Sequence, residues 1–192
     1  MPDTETMSAF KLPEINKRQL LKTGGLGLLA AAVPIIPARS ALAGFKSFSI
    51  NFRHGHTGES FSGVYRVGDR YLPEAFERLN YVMRDFRTGE VFPMDPHILD
   101  VLTIIHKKTG INRPMEVLSG YRSPKTNAML RKASTGVAKN SFHMYGQAID
   151  FRLPYFNTSQ LRTIAREMKV GGVGYYPKSD FVHIDTGKVR SW

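Results

Sequence analysis

The chain has 192 residues, no cysteine and a formal charge of +11, with apolar residues at 42%. That apolar content excludes an intrinsically disordered chain and suits one domain with an additional segment. Without cysteine there is neither a disulfide framework nor a thiolate metal site, so any metal must be held by imidazole and carboxylate groups.

The positive charge fits attraction to an anionic envelope rather than nucleic acid, because no zinc-finger spacing and no aromatic RNA-binding signature accompanies it. The first 18 residues are polar and mixed in charge. An apolar run from Thr23 to Pro37 follows, and then Ala41-Leu42-Ala43. These are the n-region, h-region and small-residue cleavage site of an export signal. The run of about 15 residues is short for a membrane span, which needs roughly 20. Lys17-Arg18 before a weakly apolar stretch resembles a twin-arginine signal with lysine in the first position; general secretion and a retained anchor helix are the alternatives. The expected division is an export signal over 1–43 and a domain over 44–192, delivered to the periplasm. Residues 1–43 hold Lys11, Lys17, Arg18, Lys22 and Arg39 against Asp3, Glu5 and Glu14. Removing them takes +2 from +11 and leaves about +9 on the domain.

Within the domain, Phe45 to Phe52 alternates polar and apolar residues and predicts a strand. His56-Thr57-Gly58-Glu59 predicts a turn, and Ser60 to Val67 the second strand of a hairpin. Pro73 opens a helix expected to run to Arg87, with Phe76, Leu79, Val82, Met83 and Phe86 on one face. Asp95-Pro96 caps a second helix to about Lys108. Met115 to Ser119 predicts a short strand, Lys125 to Ala133 a helix, Ala148 to Leu153 a strand and Thr158 to Met168 a capped helix. Gly171 to Tyr176 and Phe181 to Asp185 predict the last strands, split by Pro177-Lys178-Ser179. This order implies an α+β fold with a mainly antiparallel sheet and helices packed on it. Ser134 to Tyr145 is the longest stretch without a predicted element, a length that often signals function in a small domain.

The chemistry concentrates in two stretches. In Ser141-Phe142-His143-Met144-Tyr145-Gly146-Gln147-Ala148-Ile149-Asp150, a histidine in a loop precedes an acid in mid-strand. Alternation puts Ile149 and Phe151 on one face of that strand, and Ala148, Asp150 and Arg152 on the other. A carboxylate buried there is costly unless paired or metal-bound. In Phe181-Val182-His183-Ile184-Asp185, Val182 and Ile184 share one face, and Phe181, His183 and Asp185 the other. His143, Asp150 and His183 would give three N/O ligands and leave the fourth zinc position that a catalytic site keeps open. Spacing alone does not decide between this and ordinary core histidines, since no compact motif such as H-E-x-x-H is present.

Ser141-x-His143-x-x-Gly146-x-Ala148-x-Asp150, followed by His183, resembles the zinc D-alanyl-D-alanine carboxypeptidase and dipeptidase superfamily, whose metal fold is shared with the hedgehog domain. Within it the chain is most similar to the murein endopeptidase K (YcbK-like) group. The resemblance extends through His56-Thr57-Gly58-Glu59, Ser119-Gly120-Tyr121-Arg122-Ser123, Gly136-Val137-Ala138-Lys139, Gly171 to Pro177 and Phe181 to Gly187. It implies Zn2+ on His143, Asp150 and His183, and hydrolysis of amide bonds in peptidoglycan peptide cross-links, by resemblance those joining meso-diaminopimelate residues, with D-alanyl cross-bridges as the alternative. It also implies a general base three residues before the last histidine, where the superfamily has glutamate and this chain has Asp180, one methylene shorter. Asp185 is the rival for that role, or a partner that orients a ligand imidazole. Arg122 is implied as the group that steadies the oxyanion or grips a substrate carboxylate. Ser119, Tyr121 and Ser123 are candidates for the same wall, Tyr175 and Tyr176 for either cleft or core. His54 and His56 read as turn residues, and His97 and His106 as incidental helix residues. Two rival functions remain: a non-catalytic peptidoglycan-binding module with structural zinc, and a polyanion-binding surface protein driven by charge.

Overall fold

The computed structural model describes residues 46–192. The expected export signal over 1–43 lies outside the described residues. Among those described, no helix is long and apolar enough to cross a membrane.

Strands β1 (Ser47–His54) and β2 (Ser60–Val67) form the expected hairpin, with β3 (Arg70–Tyr71) added to its outer edge. After helices α1 (Pro73–Val82) and α2 (Pro96–Thr109), β4 (Met115–Ser119) lies parallel to β1. Helix α3 (Pro124–Ala133) and a single 3-10 turn (Phe142–Tyr145) lead into β5 (Ala148–Arg152). Helix α4 (Thr158–Glu167), β6 (Gly172–Tyr176), β7 (Phe181–Asp185) and β8 (Arg190–Ser191) complete one sheet, in the order β3-β2-β1-β4-β5-β7-β6-β8. Only β1–β4 and β6–β8 are parallel pairs, so the expected α+β fold with a mainly antiparallel sheet is what forms.

Local chemistry sets the element boundaries. The Asp95 carboxylate accepts from the His97 amide and Ser123 Oγ accepts from the Thr126 amide, each with proline at the first helical position. Asn157 caps α4 by accepting from the Ser159 and Gln160 amides. The first helix is shorter than its periodicity suggests, ending at Val82 rather than Arg87. A tight loop takes over: the Gly89 and Thr88 amides donate to the Asp85 carbonyl, and Asp85 Oδ1 accepts from the Arg87 amide. Phe86 thereby leaves the helical face and stacks on His56, with ring centroids 4.4 Å apart. This loop supports the cleft, because Asp85 Oδ2 accepts from the Ser123 amide at 2.9 Å and the Met83 carbonyl from the Tyr121 amide at 2.8 Å.

The core forms between the sheet and helices α1, α2 and α4. Leu79 and Val82, Ile98, Leu99, Leu102 and Ile105, and Leu161 and Ala165 meet Phe52, Val117, Ile149, Phe151, Val182 and Ile184 from the strands. Alternation therefore turns Asp150 and His183 to the other face of the same strands.

Candidate metal centre

Strands β5 and β7 are antiparallel neighbours, and their register sets Asp150 directly opposite His183. The third group comes from a different direction. His143 sits on the 3-10 turn, which ends at Gly146 in the left-handed region at φ 65°. A Cβ at position 146 would lie 2.2 Å from the Pro93 carbonyl oxygen, so only glycine allows the chain to close here. The turn is tied down on both sides: the Arg122 amide donates to the His143 carbonyl at 3.1 Å, and the Asp95 amide to the Gly146 carbonyl at 2.9 Å.

These constraints bring three side chains together. Asp150 Oδ1 lies 2.8 Å from His183 Nδ1 and 3.2 Å from His143 Nε2, and the two ring nitrogens are 3.2 Å apart. One ligand atom from each of the three residues lies within 4.8 Å of the others. All three side chains are buried. The outward nitrogens are committed elsewhere: His143 Nδ1 donates to the Gly120 carbonyl at 2.7 Å, and His183 Nε2 to Asp185 Oδ2 at 3.0 Å. With its outer nitrogen protonated, each neutral imidazole turns a lone pair inward. Two lone pairs and a carboxylate oxygen converging on one buried point repel each other unless a metal cation or a proton lies among them. The donor set of two nitrogens and one oxygen, with no sulfur, suits zinc or a similar divalent transition ion.

Asp185 makes the His183 support rigid. Its buried carboxylate also accepts from Arg190 Nη2 at 2.7 Å, Arg190 Nη1 at 3.0 Å, the Gly172 amide at 3.1 Å and the Gly187 amide at 2.9 Å. Burial opposes the charge on Asp150, but the two imidazoles outweigh it and hold the carboxyl far below the usual carboxylate range. Burial also opposes protonation of His183, yet Asp150 and Asp185 push it up to about 9, so without an ion His183 Nδ1 carries a proton toward Asp150 that a ligated metal would displace. For His143 burial prevails and lowers it, favouring the neutral ring that a ligand must be.

The three residues open into a cleft of about 520 Å³, lined also by Arg122, Tyr176, Phe181, Arg190 and Trp192. Arg122 donates through Nη2 to Asp150 Oδ2 and to Ser119 Oγ, both at 3.4 Å, and its buried Nε has no partner among the described residues. It is thus held beside the three candidate ligands with hydrogen-bonding capacity unspent. Tyr176 lines the cleft, whereas Tyr175 packs against the core. Tyr121 stacks on Phe92 at 4.8 Å, and Ser123 serves as the α3 cap. Asp180 is not among the residues lining the cleft. It occupies the exposed turn before β7 at φ 52°, and its carboxylate accepts from the Thr158 hydroxyl at the start of α4. His54 and His56 cluster with Phe86, and His106 Nε2 contacts the Arg113 carbonyl; neither group joins His143, Asp150 and His183. Sequence reasoning missed Arg190 and Trp192; the signal lay in a cation and the chain's single tryptophan shortly after His183.

Residues 43–192 match the family model described as peptidoglycan L,D-endopeptidase MepK. The chain belongs to this family. A relative from Escherichia coli (strain K12), named peptidoglycan L,D-endopeptidase MepK, is 41% identical over 179 residues, covering 93% of this chain and 98% of the relative. One from Haemophilus influenzae, named "Probable peptidoglycan L,D-endopeptidase MepK", is 42% identical over 181 residues, covering 92% of this chain and 95% of its own length. With matches of this extent, family membership covers the cleft as well as the sheet beneath it.

Proposed function

We propose that this chain is a zinc-dependent peptidoglycan endopeptidase, exported to the periplasm by a twin-arginine-like signal over 1–43, that hydrolyses amide bonds in peptide cross-links. The relatives' names supply the substrate class. One observation carries the reading at this site: the outer nitrogens of His143 and His183 are both committed, so the inner ones converge with Asp150 Oδ1.

His143 Nε2, Asp150 and His183 Nδ1 would hold the ion. Bound zinc acidifies a water molecule and polarises a carbonyl group, the two requirements of amide hydrolysis. Arg122 stands at the lining of the cleft, where its fork suits negative charge developing on the substrate carbonyl oxygen or a neighbouring carboxylate. Asp185 is fully engaged by His183, Arg190 and two amides, so its role here is to orient His183. That leaves Asp180 as the general base. It lies between Ser179 and Phe181, both of which line the cleft, and the Thr158 bond must open for its carboxylate to turn inward. Its exposure makes that rotation inexpensive.

The engagement of Asp180 with Thr158 equally suits the second reading, a peptidoglycan-binding module with structural zinc. The deciding experiment incubates the purified protein with cross-linked muropeptides, with and without a chelator, and follows the products by mass spectrometry. Metal-dependent loss of cross-linked dimers, abolished in His183→Ala, is the expected result. Intact dimers in the presence of one bound zinc per chain would overturn the endopeptidase reading in favour of the binding module.

A further inference from the structure

One wall of the cleft takes no part in holding metal. Strand β8 pairs with β6, and the residue after it is clamped by its backbone: the Trp192 amide donates to the Val173 carbonyl at 3.2 Å, and the Tyr175 amide to the Trp192 carbonyl at 3.0 Å. This lays the indole across Gly174. A Cβ at position 174 would come within 2.8 Å of the ring, so β6 makes room for the indole with glycine. The indole Nε1–H donates to the Tyr176 hydroxyl at 3.0 Å, and the Tyr176 ring stacks on Phe181 at 4.4 Å and 14°. The Arg190 guanidinium lies 5.0 Å from the indole centroid while its nitrogens hold Asp185. The indole centroid is 5.4 Å from the His183 ring.

Trp192 is therefore fixed on several sides, yet it remains 48% exposed and lines the cleft. A side chain recruited only for packing would bury its faces. An indole fixed in place with open apolar surface beside a metal ligand is a contact surface for something that enters the cleft. The exposed indole offers apolar contact, with the stacked Tyr176–Phe181 pair on one side and the Arg190 guanidinium 5.0 Å away, so it suits an aliphatic side chain that carries a polar end.

We propose that Trp192 is a specificity-determining residue whose indole receives the aliphatic portion of the substrate side chain next to the scissile amide. The inference rests on the endopeptidase reading for the identity of the reaction, but not for the binding event itself. Trp192 is the chain's only tryptophan, so intrinsic tryptophan fluorescence reports this position without labelling.

The test uses the zinc-loaded full protein. A stem peptide with a long aliphatic diamino-acid side chain is titrated in, and tryptophan emission is followed. A saturable change is expected, and a peptide with alanine at that position should saturate at about tenfold higher concentration. In steady-state hydrolysis, Trp192→Ala should raise KM about tenfold with kcat within about twofold and zinc still at one per chain, and Trp192→Phe should recover most of the loss. The penalty for the short side chain should largely vanish in Trp192→Ala. Emission unchanged at saturating peptide, or a Trp192→Ala defect confined to kcat or zinc content, overturns the proposal. Should Trp192→Ala fail to fold, the wild-type titration and Trp192→Phe still decide. Should the wild type bind the peptide with an emission change but cleave nothing, the endopeptidase reading fails and the platform stands.

Discussion

Asp185→Asn isolates the support behind the metal site without changing side-chain volume. The amide oxygen can still accept from the Gly172 and Gly187 amides, which reach Oδ1 at 3.1 and 2.9 Å. The new NH2 group then faces His183 Nε2 and Arg190 Nη2, the two donors that now reach Oδ2 at 3.0 and 2.7 Å. Two donors cannot share that contact. The least costly relief moves the imidazole proton from Nε2 to Nδ1, which directs an N–H at the ion instead of a lone pair. Loss of a carboxylate behind a ligand histidine typically lowers metal affinity 10–100-fold, or about 1.4–2.7 kcal/mol. The upper end applies here, because Arg190 also loses its buried counter-charge. Competition of the protein with a chromogenic chelator for zinc measures the affinity, and circular dichroism confirms the fold. Zinc affinity within twofold of wild type would refute the claim that Asp185 sets the His183 tautomer.

Four further outcomes follow from the same geometry. Dialysis against chelator should lower the melting temperature, and stoichiometric zinc should restore it, since a ligand at a thousandfold excess over its dissociation constant contributes about 4 kcal/mol; a melt unchanged by chelator would oppose a bound ion. Gly146→Ala should destabilise the protein by at least about 2 kcal/mol through its left-handed φ of 65° and the Pro93 contact, and weaken zinc binding through His143; urea unfolding and zinc titration read both. Asp180→Asn should lower kcat by about a hundredfold or more with zinc content unchanged, as removal of a general base does, and an unchanged kcat would exclude Asp180 from proton transfer. Burial first, and His56 second, lower His54 from 6.5 to about 4. The unfolded chain thus binds the extra proton first, and stability complete above about pH 6.5 should fall by roughly 3 kcal/mol between pH 6.5 and 4; urea unfolding of His54→Phe should show a shallower acid limb.

The strands that carry the site were readable because each holds a polar residue between apolar ones that must face a core: Ile149 and Phe151 around Asp150, Val182 and Ile184 around His183. Alternation predicts sidedness and needs no tertiary knowledge. Helix α1 was overextended because Met83 and Phe86 continue its apolar spacing, while the Asp85 loop that replaces its last turn is closed locally by the Arg87, Thr88 and Gly89 amides and anchored by the distant Ser123 amide, a contact that spacing does not show. The two-residue strands β3 and β8 are too short to show a period, so neither was foreseen, and Trp192 went unnoticed with β8. The Gly120 carbonyl that orients His143 could not be anticipated either, because a backbone acceptor leaves no trace in residue type. Asp180 shows the opposite limit: its place three residues before His183 suggests a base, but side-chain direction in a left-handed turn is set by what lies nearby, here Thr158.

The register of β5 and β7 serves both the core and the candidate metal centre. Asp150 pairs with His183, and Ile149 with Ile184. A slip of one residue in either strand would turn a ligand into the helical layer and an isoleucine into the cleft. The cost of either error is large, since an unpaired buried charge and a lost core side chain are each worth several kcal/mol. Core packing by itself therefore favours the pairing that brings Asp150 and His183 together. The same logic explains why the third ligand does not come from a strand. Asp150 and His183 rise from one surface of the sheet, and a group that closes over them must approach from above it. A glycine-ended turn, held through Gly120 and Arg122 to the segment that follows β4 and through Asp95 to the start of α2, supplies that direction. The sheet thus fixes two ligands by register, and the loop fixes the third by hydrogen bonds that depend on the sheet having formed.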